Sequence, residues 1–373
     1  MQNKKILAVF GTRPEAIKMC PVIRELKKYE DLECRVCLTG QHRSMVRETL
    51  DLFGIIPDWD LAIMREGQDL FDVTRELLSG LRQVLDREHP ALVLVHGDTT
   101  TAFASALAAF YLRIPVAHVE AGLRTYDLSA PFPEEWNRRA IGILAEHHFA
   151  PTERAGRNLI AEGIPRNRIT VTGNTVIDAL SWTVQSKYEH PDLEWGGYGR
   201  LVLLTLHRRE SLGAPMRTAL RAIRRIAEER EDVRILCPMH PNPAVRAILR
   251  EELAGCERVR LREPLDVVDF HNILSRCYLV LTDSGGIQEE AAALRKPLLV
   301  LRRTTERPEG LEAGCMRLIG TGEGSVFRGV EELLTNHALY SAMSHAPNPY
   351  GDGKASVRIA QRIETWMEGR GES

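Results

Sequence analysis

The sequence predicts an α/β protein made of two doubly wound, Rossmann-like domains with a cleft between them. Short apolar runs alternate with amphipathic stretches along the whole chain, and this alternation is typical of parallel sheets wound by helices. The same pattern occurs in both halves of the sequence. A chain of 373 residues also has enough surface to bury in two cores of ordinary size.

The first half contains apolar runs with the length and β-branched content of strands that are buried on both faces. In chain order these runs are KKILAVFG, RVCLTG, ALVLVHGD, PVAHVEAG and HHFAPT. The stretch EAIKMCPVIRELKKY, which follows the first run, has the periodicity of an amphipathic helix. We therefore predict that residues 1–185 form the first domain.

The second half repeats this organisation, and we predict a second domain over residues 195–352. Its strand-like runs are RLVLLTLH, VRILCPMH, VRLREPL, LVLTDSGG and PLLVLR, and MRTALRAIRRIAEER has the period of a helix. The polar segment SKYEHPDLEWGGYGR predicts a hinge near residue 190. Residues 353–373 follow the turn-rich NPYGDG and predict a C-terminal helix, which either packs on its own domain or crosses back to the first.

Composition limits the classes of partner and compartment. The formal net charge of -2 gives the chain no general attraction to nucleic acids or acidic membranes. No apolar segment approaches the roughly 20 residues that span a bilayer. The seven cysteines are scattered, and the Cys34–Cys37 pair lacks a second pair at zinc spacing. These features predict a cytoplasmic protein with reduced thiols that binds neither nucleic acid nor membrane.

Three acidic residues follow apolar runs of the first half or lie in loops near them. Asp98 ends the run ALVLVHGD, at the carboxyl end of a predicted strand, where open α/β sheets bind their ligands. Asp98 or a neighbouring threonine could equally cap the next helix. Glu120 ends PVAHVE, and Glu134 lies in the loop APFPEEWNRR. A loop glutamate alone is commonly a surface residue, whereas grouped carboxylates suit acid/base chemistry.

The stretch FGTRPEAIKM predicts a tight turn followed by a helix that begins near a proline. The free N–H groups of a helix N-terminus bind anions, and Arg13 and Lys18 would add positive charge beside them. The alternative is a capped helix whose basic residues are solvated.

The stretch LTDSGGIQEEA is a second candidate for anion binding. Ser284, Gly285 and Gly286 would let backbone N–H groups approach a phosphate closely. The acidic pair that follows, Glu289 and Glu290, would repel phosphate but could accept hydrogen bonds from ribose hydroxyls. A nucleotide satisfies both features, and an ordinary helix with an acidic first turn is the alternative.

His207 and Arg307 lie in loops of the second half that would face the cleft. His207 directly follows the run RLVLLTL and could donate a proton to a leaving phosphate, although a lone histidine is more often packed or solvated. Arg307, in RRTTERPEG, is either an anion contact or surface charge. No ligand set at zinc or magnesium spacing occurs, so we predict no metal.

The motifs FGTRPEAIKM, HGDTTT, VEAGLRT, PFPEE, HRRES, DSGGIQEEA, TTERPEG and NPYGDG occur in this order between residues 10 and 353. Together they resemble the non-hydrolysing UDP-N-acetylglucosamine 2-epimerases of bacterial type, over nearly the whole chain. The resemblance implies the GT-B fold, with UDP held in the cleft mostly by the second domain. It also implies a homodimer whose partners are UDP-GlcNAc and UDP-ManNAc, and no cofactor.

The resemblance also implies roles for residues that match the family's motifs. The implied catalytic residues are Asp98, Glu120, Glu134 and His207. The implied substrate-binding residues are Arg13, Lys18, Phe270, Ser284, Gly285, Gly286, Glu290 and Arg307. An allosteric site for a second UDP-GlcNAc is implied at Gln41, His42, Arg208 and His240.

The chemistry implied by this family is elimination of UDP across C1 and C2 to a 2-acetamidoglucal, followed by re-addition after protonation on the other face. Asp98 and Glu120 would act at C2, Glu134 would assist, and His207 would ease the departure of UDP. A hydrolysing epimerase, which releases ManNAc and UDP, is the nearest alternative, but HGDTTT stands where such enzymes tend to carry a GDR-type motif. A GT-B glycosyltransferase and a non-catalytic UDP-sugar sensor are further alternatives.

Overall fold

The computed structural model describes residues 4–40, 43–65, 67–197, 199–208 and 211–369. The chain divides into two compact units: the first contains the residues up to Ser181 and those from Tyr350 onward, and the second is Trp182–Pro349. Each unit has one parallel sheet whose strands alternate with helices, which confirms the predicted α/β class. No helix of the described residues is long and apolar enough to cross a membrane.

The first unit has a seven-stranded sheet. Its strands are β1 (Lys5–Phe10), β2 (Glu33–Leu38), β3 (Trp59–Asp60), β4 (Leu92–His96), β5 (Val116–Val119), β6 (His147–Ala150) and β7 (Ile169–Val171). Its helices are α1 (Arg13–Leu26), α2 (Arg43–Leu52), α3 (Leu70–Glu88), α4 (Thr100–Tyr111), α5 (Glu134–Leu144), α6 (Glu153–Ala161) and α7 (Thr175–Thr183), with a 3₁₀ turn at Arg166–Arg168.

The strand order is β3-β2-β1-β4-β5-β6-β7. The chain adds strands on one side of β1 up to β3 and then on the other side from β4 onward, so the order reverses between β1 and β4. These two strands pair in parallel, with Ile6 opposite Leu92, and both are almost entirely buried. Open sheets bind ligands outside the carboxyl ends of the strands at such a reversal. The turns that follow Phe10 and His96 therefore lie at the edge where a ligand is expected.

The second unit has a six-stranded sheet. Its strands are β8 (Arg200–Thr205), β9 (Val233–Pro238), β10 (Val259–Arg262), β11 (Leu279–Thr282), β12 (Leu298–Val300) and β13 (Met316–Leu318). Its helices are α8 (Pro191–Gly196), α9 (Ala214–Glu229), α10 (Pro243–Leu253), α11 (Val267–Arg276), α12 (Gly286–Ala293), α13 (Pro308–Ala313), α14 (Glu323–Thr335) and α15 (His337–Ser344).

The order of this sheet, β10-β9-β8-β11-β12-β13, reverses between β8 and β11. Thr205 and Thr282 end these strands opposite each other, and their hydroxyl oxygens are 2.6 Å apart. The turns that carry His207 and Ser284 therefore leave the sheet side by side. The second sheet thus places its candidate residues at the same topological position as the first.

The division between the units lies inside α7, between Ser181 and Trp182, and not near residue 190 as predicted. The middle of the polar segment expected to be a hinge forms α8, which belongs to the second unit. The Oδ1 atom of the buried Asp192 accepts hydrogen bonds from Arg260 and Arg262, each at 2.8 Å. This ion pairing explains why a polar segment folds onto the sheet.

The last helix, α16 (Ala355–Gly369), belongs to the first unit, where it packs against α1. Its first turn is capped by Asp178 of α7, which accepts hydrogen bonds from the backbone N–H groups of Ser356 (2.8 Å) and Ala355 (3.2 Å). The C-terminal segment therefore returns to the first sheet after the second unit is complete.

Candidate active site

The turn after β1 is organised by a buried carboxylate. Thr12 caps α1 and forms a capping box with Glu15, whose Oε2 accepts hydrogen bonds from the N–H groups of Gly11 (3.0 Å) and Thr12 (2.8 Å). The hydroxyl of Thr99, after β4, donates to the other oxygen of Glu15 at 2.7 Å. Burial raises the pKa of Glu15. Glu15 therefore holds together the two turns at which the strand order reverses.

Asp98 does not cap the helix that follows it. The cap of α4 is Thr99, whose hydroxyl accepts a hydrogen bond from the N–H of Ala102 at 3.0 Å. The Asp98 carboxylate instead forms an ion pair with the buried guanidinium of Arg138 on α5. The amide of Asn137, on the same helix, donates to the Asp98 carbonyl at 2.9 Å. These contacts leave the capping role to the threonine.

Glu120 follows β5, the strand next to β4, and its φ of +63° lies in the left-handed region. A non-glycine residue there carries backbone strain, which is concentrated at functional sites. Glu120 Oε2 forms an ion pair with Lys18 and accepts a hydrogen bond from the Asn174 amide at 2.8 Å. His96 Nε2 lies 3.9 Å from the same oxygen.

The surroundings of Glu120 are poorly accessible to water. The side chains of Lys18 and Glu120 are 8% and 10% exposed, and His96 is buried at the end of β4. Burial lowers the pKa of His96 to about 4, so its imidazole is neutral near pH 7. The first unit therefore carries two carboxylates after adjacent strands, each next to a cation that is itself almost fully buried.

Glu134 and Arg13 are both half-buried and lie at the N-termini of helices. Glu134 is the first residue of α5, the helix that supplies both contacts to Asp98. Arg13 begins α1 directly after its capping threonine. The first-unit candidates therefore all lie in turns at one end of the sheet or in the first two turns of the helices that follow: Asp98, Glu120, Lys18, Arg13 and Glu134.

The turn after β11 is built for close approach to its backbone. The N–H of Ser284 donates to the Thr282 hydroxyl at 2.9 Å, and α12 begins at Gly286. A Cβ atom on Gly285 would come within 2.6 Å of a guanidinium nitrogen of Arg307. A side chain at residue 285 would therefore displace the Arg307–Glu306 pair, and the positive charge of Arg307 lies directly against the turn.

Arg307 is held by carboxylates, although the sequence suggested a direct contact to substrate. It donates to Glu289 and Glu306 at 2.7 Å each. Glu306 also contacts Arg302 (2.9 Å) and Arg208 (3.3 Å). Burial alone would raise the pKa of Glu306, but these three guanidinium groups hold it below the usual range. Glu289 thus positions Arg307, and this role distinguishes Glu289 from Glu290.

Glu290 faces a different partner. Its Oε2 is 3.6 Å from His271 Nε2, and His271 Nδ1 is 2.7 Å from the Thr183 hydroxyl. Phe270, which the family resemblance implies as a substrate-binding residue, precedes His271 on α11 and is half-buried. Of the two adjacent glutamates, Glu290 is therefore the one whose carboxylate is not paired with an arginine among the described contacts.

His207 lies after β8 and is positioned by an aspartate that sequence reasoning missed. The backbone N–H groups of His207 and Arg208 donate to the fully buried carboxylate of Asp283, each at 3.0 Å. Burial raises the pKa of Asp283. The His207 ring stacks on that of the exposed His240, with centroids 5.5 Å apart. Asp283 therefore fixes the turn that carries His207.

The predicted allosteric set is only partly visible. Gln41 and His42 lie outside the described residues, whereas Arg208 and His240 lie beside Glu306 and His207. Sequence reasoning missed His96, Arg138 and Asn174, and only the first two lie inside motifs that it had singled out. The described residues contain no group of three or more histidine, cysteine or acidic side chains that could hold a metal ion.

The chain is similar to known proteins over almost its whole length. The family model of UDP-N-acetylglucosamine 2-epimerase matches residues 24–364. The UDP-N-acetylglucosamine 2-epimerase of Bacillus subtilis is 52% identical over 363 residues, which cover 97% of this chain and 96% of that protein.

Two solved structures match the fold at similar coverage. The S. aureus MnaA–UDP co-structure has a TM-score of 0.94 and 48% identity, covering 98% of this chain and 97% of its own. The UDP-GlcNAc 2-epimerase of Neisseria meningitidis bound to UDP-GlcNAc has a TM-score of 0.93 and 43% identity, covering 97% and 100%. These matches confirm the GT-B fold class. The chain belongs to the UDP-N-acetylglucosamine 2-epimerase family.

Proposed function

We propose that this protein interconverts UDP-GlcNAc and UDP-ManNAc by inverting C2 of the sugar, without hydrolysis and without a cofactor. The observation that carries the proposal is the pair of carboxylates, Asp98 and Glu120, that follow adjacent strands of the first sheet. Each has a cationic partner, Arg138 or Lys18, that is almost fully buried. Inversion at a carbon removes a proton from one face and delivers a proton to the opposite face. Such a reaction needs two positioned carboxyl groups, one for each transfer.

The proton on C2 is a poor acid, because no carbonyl group adjoins that carbon. As the C1–O bond to UDP breaks, C1 becomes electron-deficient and the C2 proton becomes more acidic. A carboxylate takes this proton, UDP leaves with the bonding electron pair, and the product is 2-acetamidoglucal. A carboxylic acid then protonates C2 on the opposite face while a phosphate oxygen of UDP attacks C1. Asp98 and Glu120 carry out these two transfers, and Glu134 assists them.

The second unit supplies groups suited to UDP. The backbone of Ser284–Gly286, at the N-terminus of α12, binds the diphosphate, since helix N-termini bind anions. Arg307 places positive charge against this turn. Phe270 packs beside uracil, Glu290 accepts hydrogen bonds from ribose hydroxyls, and His207 eases the departure of UDP.

Proton NMR in D₂O, with purified protein and UDP-GlcNAc and no added NAD, tests the proposal. We expect UDP-ManNAc with deuterium at C2, because the transferred proton exchanges with solvent on the carboxyl groups. Accumulation of free ManNAc and UDP would instead identify a hydrolysing epimerase. Unchanged substrate that still binds saturably would favour a sensor or a transferase.

We also propose a homodimer. Large apolar side chains are exposed on the adjacent helices α4 and α5, with Tyr111 68% and Ile143 80% accessible. Burying such side chains against a second copy is favourable. Light scattering on a sizing column should give the mass of two chains, and a single-chain mass at micromolar concentration would contradict the proposal.

A further inference from the structure

The turn after β7 presents one amide to Glu120. Asn174 is 2% exposed, and its Oδ1 accepts a hydrogen bond from the N–H of Val176 at 3.0 Å. That bond fixes which end of the amide is the oxygen, so the Nδ2 group must point the other way. Nδ2 donates to Glu120 Oε2 at 2.8 Å. The orientation of the donor is therefore set by the turn itself.

Glu120 Oε2 is the meeting point of two donors from distant parts of the first unit. Lys18, on α1, is paired with the same oxygen. Two donors on one oxygen fix the rotation of the carboxylate and favour its ionised form. A group that exchanges protons with a sugar carbon needs both properties, because its reactive oxygen must be aimed and its proton affinity set.

The returning C-terminal segment holds the Asn174 turn in place. The N–H of Asn174 donates to the carbonyl of the buried Tyr350 at 2.7 Å. Arg358, on α16, donates to the carbonyl of Thr172 at 2.9 Å and pairs with Asp352 at 2.7 Å. The turn is thus fastened on both sides by the segment that contains the NPYGDG motif.

Two glycines allow this close contact. Gly173 and Gly351 have φ values of +91° and +130°, and a Cβ atom on Gly351 would lie 3.0 Å from the Gly173 Cα. Side chains at either position would push the two backbones apart and move Asn174. This spacing gives the first glycine of NPYGDG, Gly351, a physical role that the UDP-binding residues do not explain.

We infer that Asn174 is a positioning residue for Glu120, and that the NPYGDG segment with the start of α16 places Asn174 for this task. The inference rests on the proposed role of Glu120 in proton transfer. It makes the C-terminal segment, which is remote in sequence from every candidate catalytic residue, part of the apparatus that orients one of them.

The Asn174→Asp variant tests whether Asn174 positions Glu120. It keeps the shape and the oxygen that accepts from Val176, but replaces the donor with an oxygen facing Glu120. We expect kcat to fall about tenfold or more. The added negative charge disfavours ionised Glu120, so the acid limb of the kcat profile should move up by about one pH unit. The KM for UDP-GlcNAc should stay within about twofold of the wild type, since the nucleotide-binding groups are untouched.

A merely structural role would lower the unfolding midpoint without moving the pH limb. The inference is overturned if Asn174→Asp epimerises with the kcat and acid limb of the wild-type protein. Failure of the proposed function gives a different result, because the wild-type protein itself would then leave UDP-GlcNAc unepimerised. The Asn174→Ala variant, which lacks the added charge, should lose kcat with a smaller shift of the limb.

Two arginines of α16 provide a matched pair of variants to test whether the C-terminal segment places Asn174. Arg358 and Arg362 each donate to a backbone carbonyl of the first unit at 2.9 Å, but only Arg358 reaches the Asn174 turn; Arg362 contacts Asn167. We expect Arg358→Met to lower kcat several-fold and to move the acid limb in the same direction as Asn174→Asp. Arg362→Met should match the wild type. Equal effects of the two substitutions would overturn the role assigned to the C-terminal segment.

Discussion

At the scale of single residues, Arg138 joins a candidate catalytic group to the protein interior. Its guanidinium pairs with Asp98 and lies 3.4 Å from Glu135, a carboxylate with no exposed surface. Glu135 also accepts hydrogen bonds from the N–H groups of Thr125 and Tyr126, each at 3.0 Å. Because Glu135 is fixed from both sides, Arg138 and therefore Asp98 have little freedom to move.

Arg138→Met should impair both folding and catalysis. It leaves the buried charge of Glu135 without its cation, and removing one partner of a buried pair costs about 3 kcal/mol or more. Epimerisation should be lost as well, since Asp98 loses the group that orients it. Arg139→Met is the control, because Arg139 is 41% exposed and reaches Glu162 only at 4.0 Å.

Denaturant unfolding and the NMR assay measure the two effects separately. The control should stay within about 0.5 kcal/mol of the wild type, as surface substitutions usually do. If Arg138→Met unfolds at the wild-type midpoint and keeps its activity, the proposed coupling between Glu135, Arg138 and Asp98 is wrong.

At the scale of elements, two neighbouring residues at the start of α4 have different roles: Thr99 is structural and Asp98 is a candidate for the chemistry. Thr99 caps the helix and binds Glu15, while Asp98 turns to α5. The same strand end can therefore hold a helix and still present a carboxylate. The sequence left both roles open, because threonine and aspartate are both favoured at helix N-caps.

Thr99→Ala should destabilise the first unit. The lost cap costs about 1 kcal/mol, and the lost hydrogen bond to the buried Glu15 costs about 1 kcal/mol more. Thr100→Ala, one position on and inside the helix, is the matched control and should unfold within about 0.5 kcal/mol of the wild type. Chemical denaturation followed by circular dichroism measures both; equal midpoints for the two variants would return the capping role to Asp98.

The elements differ in how well the sequence predicts them. The buried central strands were predicted because their apolar runs are long and end in glycine or polar residues. The strands β3, β7 and β13 were not predicted: they have two or three residues, and each lies at an edge of its sheet, where few apolar side chains are required. The segment of α8 was predicted as a hinge because its polar residues gain their partners, Arg260 and Arg262, only in the folded unit.

The candidate site shows the same limit. Asp98 and Glu120 were identifiable because they follow strand-like runs, and His207 for the same reason. Asn174 was not, since its partner Glu120 is 54 positions away and its own turn carries no charge. Contacts of this kind depend on the order of strands in the sheet, which a local pattern does not contain.

At the scale of the whole molecule, the two units use one topology for different chemistry. Each sheet reverses its strand order once, between β1 and β4 or between β8 and β11, and most of the candidate residues follow these strands or their neighbours. The units differ in their buried ionisable groups. His96, His118 and His148 lie on the adjacent strands β4, β5 and β6, all in the first unit.

These histidines link the stability of the first unit to pH. Burial lowers the pKa of His96 and of His148 to about 4, and that of His118 to about 3, from an unfolded value near 6.5. Below pH 6.5 these three histidines therefore bind more protons in the unfolded chain than in the folded one. Their stabilising contribution is complete above about pH 6.5 and declines as the pH falls toward 4.

His148→Phe isolates one such contribution, because the difference between variant and wild type cancels the opposing effect of Glu15 and Asp178, whose pKa values burial raises. Relative to the wild type, the variant should gain about 1.5 kcal/mol of unfolding free energy between pH 6.5 and pH 5, whatever its packing cost at neutral pH. His345→Gln, at an exposed position of the second unit, should show no such gain.

Hydrogen exchange read by mass spectrometry separates the units, and the gain should appear only in peptides of the first unit. A gain spread over both units would mean that they unfold as one body, and no gain at all would show that His148 remains neutral in the unfolded chain or charged in the folded one.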